Sequence, residues 1–449
     1  MKPRDPVPSS RDAMAELGSP GRLLDCLNLA EGSGIGRGYP AWPALRADVG
    51  EWDLTRREGW AAIRIQRRVS SIRLPLEDSR GRPFRLSRCG EIDELVHGLV
   101  SRLDAPAGPV RAIWDSPDRF PWVAEARVGE AVALATLAGH AVDPADAAVR
   151  IRTSTRAESD AGRFVQSAER QLGAFTTDPV LPLTPANMRA LHRHMTEGQA
   201  ARRGVDTGWP REAPARESID ARMEALCDFA GGSGPFIHPV PRAVLLTLWG
   251  LHDRFFPSEN VAVSYALMPW AFGAAGLDRL ALSAVSAQRV ATRSDMQRVL
   301  AQCAADENDA TYVCLEELRL IHRSLDDLET RHSQWQSAHE SWARESDLFR
   351  RLNRRQQWLM VYALDRPDCA TSLAYHRREF NVVYETARTD LAGLVRSGLF
   401  DVRKRGKAQH FHAHPDLPSR LRSGPTGAPV AAVPAPAQRA PGDGLPAFF

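Results

Sequence analysis

The chain is predicted to be mainly α: a helical body followed by a small helix-turn-helix module closed by a hairpin. Three observations predict this. Apolar residues recur at helical spacing across 128–137, 188–194, 223–229, 243–251, 262–272 and 315–328. Strand-like alternation is scarce outside 399–412. A chain of 449 residues, 43% hydrophobic and 25% charged, has an ordinary globular composition with room for two or three domains. No internal repeat of fixed period is visible.

From the start, residues 1–40 are rich in Gly, Pro and Ser and are expected to be mostly disordered, with 23–29 the stretch suited to a short helix. An N-terminal helical region is expected over 41–107 and the main helical domain over 108–345, followed by the C-terminal module over 346–420. Residues 421–449, dominated by Pro, Ala and Gly, cannot bury enough apolar surface to fold. No apolar run is long enough to span a bilayer, and the opening Met1-Lys2-Pro3-Arg4 lacks the apolar segment of a secretion signal. The cysteines Cys26, Cys89, Cys227, Cys303, Cys314 and Cys369 lie far apart, as reduced thiols do rather than a disulfide framework or zinc cluster. A cytoplasmic location is expected.

The C-terminal module is the most informative part. Ala387, Leu391, Leu394 and Val395 fall on one helical face, and Gly398 stands where the helix needs a left-handed residue to stop. This predicts a helix over 384–397, preceded by helices over 352–364 and 372–380 with Asn381 in the turn between the second and third. Residues 399–402 and 409–412 are expected to pair across the basic turn Arg403-Lys404-Arg405-Gly406-Lys407. Helix, helix, turn, helix and basic hairpin make a winged helix. From 350 to 422 there are 15 Lys or Arg against 7 Asp or Glu, whereas the whole chain carries only +3. Such concentrated positive charge suits a phosphate backbone. In a DNA complex Tyr384, Glu385, Thr386, Arg388 and Thr389 would reach base edges, and Arg403, Lys404, Arg405 and Lys407 would meet phosphate. Winged helices also dock proteins, so a protein partner or a second copy of the chain is the other expectation.

The order of segments upstream resembles the Fic (Fido) family. Glu130-Ala131-Val132-Ala133-Leu134-Ala135-Thr136-Leu137-Ala138-Gly139 is similar to that family's inhibitory helix, Glu-Ala-x-Ala-Ser-Ser-x-Ile-Glu-Gly. Leu183-Thr184 with Leu191-His192 is similar to its leucine-threonine and leucine-histidine helix, and Ile237-His238-Pro239 onward to the helix entering its active-site loop. Residues 306–326 resemble the helix that follows, and the whole likeness spans 108–414. The resemblance implies a helical Fic-like domain with a winged-helix companion. The family loop reads His-Pro-Phe-x-Asp-Gly-Asn-Gly-Arg-x-x-Arg. Its His is the general base toward a target hydroxyl, its Asp holds magnesium, and its glycines, helix start and last Arg hold the phosphates of ATP.

In this chain the corresponding stretch is His252-Asp253-Arg254-Phe255-Phe256-Pro257-Ser258-Glu259-Asn260-Val261-Ala262-Val263. With His252 as base, Phe256 replaces the metal Asp, Glu259-Asn260 replaces Gly-Arg, and Val263 replaces the last Arg. A register two residues later matches Phe256 and Asn260 but puts Arg254 at the base and Ser258 at the metal. Neither keeps the phosphate cradle, and Glu259 places a carboxylate where the polyanion should sit. The inhibitory pair is lost on both sides, at Ala138 and Val263. The flap between Gly204 and Met223 is short, which argues against peptide docking by strand addition. These losses predict a Fic-fold protein with a decayed nucleotide-transfer site, no cofactor, and a regulatory role through the winged helix. The alternative is an atypical AMP- or other group-transferase on protein hydroxyls, with ATP and magnesium and with His252 as catalytic base.

No metal site is expected. His410, His412 and His414 alternate and would share a strand face, but at the edge of a basic hairpin they are expected to meet solvent or phosphate. His192 and His194 point to different helix faces. Gly231-Gly232-Ser233-Gly234 lacks the following Lys-Ser/Thr of a phosphate loop and reads as a helix end. Trp335 and Trp342, seven apart in a polar helix, suggest a narrow apolar stripe for core packing, or for joining the module or a second copy.

Overall fold

The computed structural model describes residues 7–19, 21–22, 24–25, 28, 38–45, 55–175, 180–197, 218–405 and 408–423. It is mainly helical. The expectations for 424–449 and most of the flap region lie outside the described residues. Contacts divide the chain into two compact units, 1–151 with 155–333, and 152–154 with 334–449. The boundary falls inside the 35-residue helix Thr311–Glu345, rather than at 345. The reason is the tryptophan stripe: Trp335, Ala338, Trp342 and Ala343 pack against the core of the second unit.

In the first unit two sequence expectations are corrected. Within 1–40, Ser10–Leu17 is helical, started by a reciprocal cap in which Ser9 Oγ accepts from the Asp12 amide and Asp12 Oδ2 accepts from the Ser9 amide. Its Leu17 joins Trp42, Leu45, Trp60 and Ile63 in an apolar cluster. Within 41–107, the helix Arg56–Val69 is followed by an antiparallel hairpin, β1 (Ser71–Glu77) and β2 (Pro83–Ser87). Leu74 and Leu76 are buried on β1, and Phe84 and Leu86 on β2, the period-two pattern of a half-buried ribbon. Pro75 hides the pattern in the sequence; it sits where the register shifts between Arg73 and Glu77, a place that needs no ladder amide. Asp78 accepts from the Arg80 and Arg82 amides, both at 2.9 Å, and Gly81 takes φ +71 to close the turn. Backbone bonds from Arg85 to Asn308 and from Ala310 to Arg85 pin the hairpin to the segment before the long helix.

The helices Pro239–Asp253 and Asn260–Ala274 are buried nearly all round and pack closely. A Cβ at Gly250 would lie 2.5 Å from Ser264 Oγ, so only glycine allows that approach. Behind them a buried ion pair joins Arg289 to Glu317. Helix Ile219–Ala230 ends at Gly231, and Gly232 and Gly234 have positive φ, consistent with a helix-ending loop.

In the second unit the helices are Asp347–Arg351, Arg354–Asp365, Leu373–Glu379 and Tyr384–Arg396, with Leu417–Ser423 at the end. Asn353 caps the second reciprocally with Gln356. Asn381 takes φ 50 in the turn before Tyr384–Arg396, a conformation Asn tolerates, and Gly398 at φ +66 stops that helix. Then β4 (Phe400–Arg405) and β5 (Ala408–Ala413) pair antiparallel, and β3 (Ala370–Ser372), which the sequence did not suggest, adds to β5 to give the order β3-β5-β4. Trp358, Leu359, Leu391, Leu394, Leu399, Phe400 and Phe411 form the core.

Asp390 ties three of these elements together. Its carboxylate receives Asn353 Nδ2 at 2.6 Å, Arg355 Nε at 2.7 Å and His376 Nε2 at 3.2 Å. Burial alone would raise its pKa, but the bonds from His376, Arg355 and Asn353 outweigh it and hold the group at about 2. A folded pKa below the unfolded value stabilises above the unfolded value and is lost as pH falls through the folded one. This contribution is therefore full above about pH 5 and disappears toward pH 2. Asp390→Asn is expected to cost about 2 kcal/mol at pH 7 and to flatten this acid dependence. Amide exchange of helix Tyr384–Arg396 against pH measures it; equal pH dependence in both proteins would refute the assignment.

Candidate functional site

Two places carry the candidate residues, one in each unit. The first is the loop between the helices Pro239–Asp253 and Asn260–Ala274. Arg254, left-handed at φ 50, ends the first helix, and Glu259, left-handed at φ 58, precedes the second. Asn260 folds back on the loop: its Oδ1 accepts from the Phe256 amide at 2.9 Å and its Nδ2 donates to the Phe256 carbonyl at 2.6 Å.

His252 sits on the last turn of the first helix with Nδ1 2.6 Å from Asp253 Oδ1. Asp253 is fully covered and also receives Trp249 Nε1 at 2.9 Å and Arg222 Nη2. Arg222 balances the buried carboxylate, and the carboxylate fixes the imidazole, whose ring also meets Phe84 edge-on at 5.1 Å. A histidine oriented by a carboxylate is a suitable general base in geometry, but its side chain is only 6% exposed. The sequence singled out His252 as a candidate but not Asp253, Arg222 or Trp249, which the structure places around it. Asp253 stood in the loop only as a mismatch.

The helix start beyond the loop does not fit a nucleotide. Glu259 is buried, with Oε2 3.4 Å from His140 Nε2, and the His140 ring lies 4.4 Å from Phe164. Its side chain makes no capping hydrogen bond to the helix, but a buried carboxylate next to the helix start disfavours an anion there. Phe256 stacks on His192 at 4.4 Å with the rings 3° from parallel. His192 Nε2 donates to the Ser258 carbonyl at 3.2 Å, and burial lowers its pKa, so it is no phosphate-binding cation near neutral pH. Val263 and Ala138 are both buried apolar side chains. ATP with magnesium is expected to leave the melting temperature unchanged to within about 0.5 °C at millimolar concentration. A concentration-dependent rise of about 3 °C would overturn this.

The second place is the outer face of helix Tyr384–Arg396 with the β4–β5 hairpin. Ala387, Leu391, Leu394 and Val395 face the core, which leaves Tyr384, half exposed, with Glu385, Thr389 and Arg396 on the outside. Thr386 and Arg388 are partly covered. Glu385 and Arg388 hold each other, Nε to Oε2 at 3.0 Å, so neither charge stands alone. Arg403 and Lys404 are exposed on β4, and Arg377 and Arg378 on helix Leu373–Glu379. The latter two were not picked out from the sequence. The side chain of Arg405 and all of Lys407 lie outside the described residues. His410 is buried and His412 partly so, their rings 6.5 Å apart; no group of three or more potential metal ligands occurs among the described residues.

Among the described residues no helix is long and apolar enough to cross a membrane. No family model and no curated protein matches the chain. Among solved structures, a Fic family protein from Desulfovibrio desulfuricans G20 aligns at 12% identity over 73% of this chain and 97% of that one, with a TM-score of 0.44. That score is too low to assign the fold.

Proposed function

We propose that this protein is a regulator that binds double-stranded DNA through a winged helix in its second unit, carried on a Fic-type helical domain that no longer holds a nucleotide. The observation that carries the first half is the face of helix Tyr384–Arg396. It presents an exposed tyrosine and polar side chains, flanked by exposed Arg377, Arg378, Arg403 and Lys404. A helix of this kind enters a major groove while a basic hairpin beside it follows phosphate. Support for the second half is the buried Glu259–His140 contact beside the helix start, a carboxylate that would repel a triphosphate placed there. Selection from random duplexes followed by low-salt shift assays tests the DNA reading. Retained, salt-sensitive complexes are expected, and their absence at low salt refutes it.

One observation favours a second reading, a group transferase with His252 as base: the Asp253 carboxylate that orients its imidazole. Labelled-ATP transfer by the intact protein, abolished in His252→Ala, would establish that reading.

A further inference from the structure

We propose that the cleft between the β1–β2 turn and the helices Ile219–Ala230 and Pro239–Asp253 binds a small organic anion, one bearing a phosphate or carboxylate group. The inference is independent of the DNA reading. The cleft has a volume of about 580 Å³, within the range of small-molecule sites. Ser79, Arg80 and Gly81 at the hairpin tip line one side, and Arg222, Trp249 and Asp253 the other.

Of the three acids on its walls, Asp78 and Asp253 are fully engaged and Glu77 is paired at the surface. Asp78 is spent on the turn, receiving two backbone amides, Arg82 Nε at 2.7 Å and Asn308 Nδ2 at 2.9 Å. Glu77 is bonded by Arg73 at 2.7 Å, and Asp253 is covered by His252, Trp249 and Arg222. The cations are not committed in the same way. Arg222 uses Nη2 on Asp253, and no other side-chain bond of its guanidinium occurs among the described residues. The Arg80 guanidinium makes none among them, since only its backbone amide is engaged. Two guanidinium groups therefore line one polar cleft with donors to spare, and planar forks of this kind match the geometry of carboxylate and phosphate. The backbone of the hairpin holding Arg80 is anchored by the Arg85 bonds to Asn308 and Ala310.

The shared oxyanion chemistry leaves phosphate and carboxylate as two sources, which calorimetry on the full chain at constant ionic strength separates with glucose 6-phosphate, citrate and uncharged glucose. Saturable one-to-one binding of at least one anion is expected, with none for glucose. Arg80→Ala, a substitution at an exposed turn that leaves the fold intact, should weaken binding at least tenfold, while Arg351→Ala, at an exposed position in the other unit, should leave it unchanged. The Trp249 indole N–H signal should move on titration, because Arg222 and Trp249 share Asp253. Absence of saturable binding by either anion, unchanged affinity in Arg80→Ala, or binding that leaves the Trp249 signal in place would overturn the proposal.

Discussion

Arg289→Ala is expected to cost the first unit about 4 kcal/mol, measured by urea denaturation at pH 7. Arg289 and Glu317 are both fully buried and joined as a fork, with Nε 3.0 Å from each carboxylate oxygen and Nη2 2.7 Å from Oε2. Nη1 donates to Ser286 Oγ at 2.7 Å, and the guanidinium lies over the Tyr265 ring at 4.3 Å. Close by, Glu130 accepts from the Ser286 amide at 2.8 Å, and burial raises its pKa despite the attraction of Arg289. Removing the arginine strands Glu317 and withdraws the charge that favours ionised Glu130. In the variant the folded pKa of Glu130, already raised by burial, would lose the attraction that opposes the rise and stand further above its unfolded value. That adds stability as pH falls, so the loss should be largest near pH 8 and shrink toward pH 5. Replacing the pair together, as Arg289→Met with Glu317→Leu, should recover most of the loss, since no charge is then left in the core. A cost below about 1 kcal/mol for the single variant would show that water reaches the pair.

What could be read in the sequence was what depends on neighbours along the chain. Helix Tyr384–Arg396 of the second unit was legible because Ala387, Leu391, Leu394 and Val395 repeat at 3.6 residues and Gly398 terminates them, and all four are buried. The hairpin of 71–87 was not, because Pro75 breaks the alternation and its ladder is completed by Asn308 and Ala310, far away in sequence. The same limit governs the site. Glu259 could be seen to oppose a polyanion, but its partner His140 lies 119 residues away, and Arg222 lies 31 residues from Asp253. Local periodicity carries no information about which distant charge will meet which. It does show where a charge is unfavourable to an anion, and Glu259 is such a place.

If the proposed DNA reading holds, the largest functional effect is expected from removing exposed cations around helix Tyr384–Arg396. Arg377, Arg403 and Lys404 are exposed, and replacing all three by alanine should lower duplex affinity by about two orders of magnitude at 0.1 M salt. The slope of log affinity against log salt should fall by roughly 3, about one for each phosphate no longer neutralised. Because these groups would meet phosphate rather than bases, the loss should be similar for the selected sequence and for unrelated duplexes. Tyr384→Ala should behave differently, weakening the selected sequence by roughly tenfold while leaving the salt slope as it is. Arg388 serves as the internal contrast: its guanidinium is bonded to Glu385, so Arg388→Ala removes a cation whose charge is already offset. An effect under about threefold is expected there, with little change in slope. If the triple variant keeps the native salt slope, phosphate does not lie along this face. The helix would then have to be read as a protein-docking surface, with Val383 and Tyr384, both exposed, as its apolar anchors.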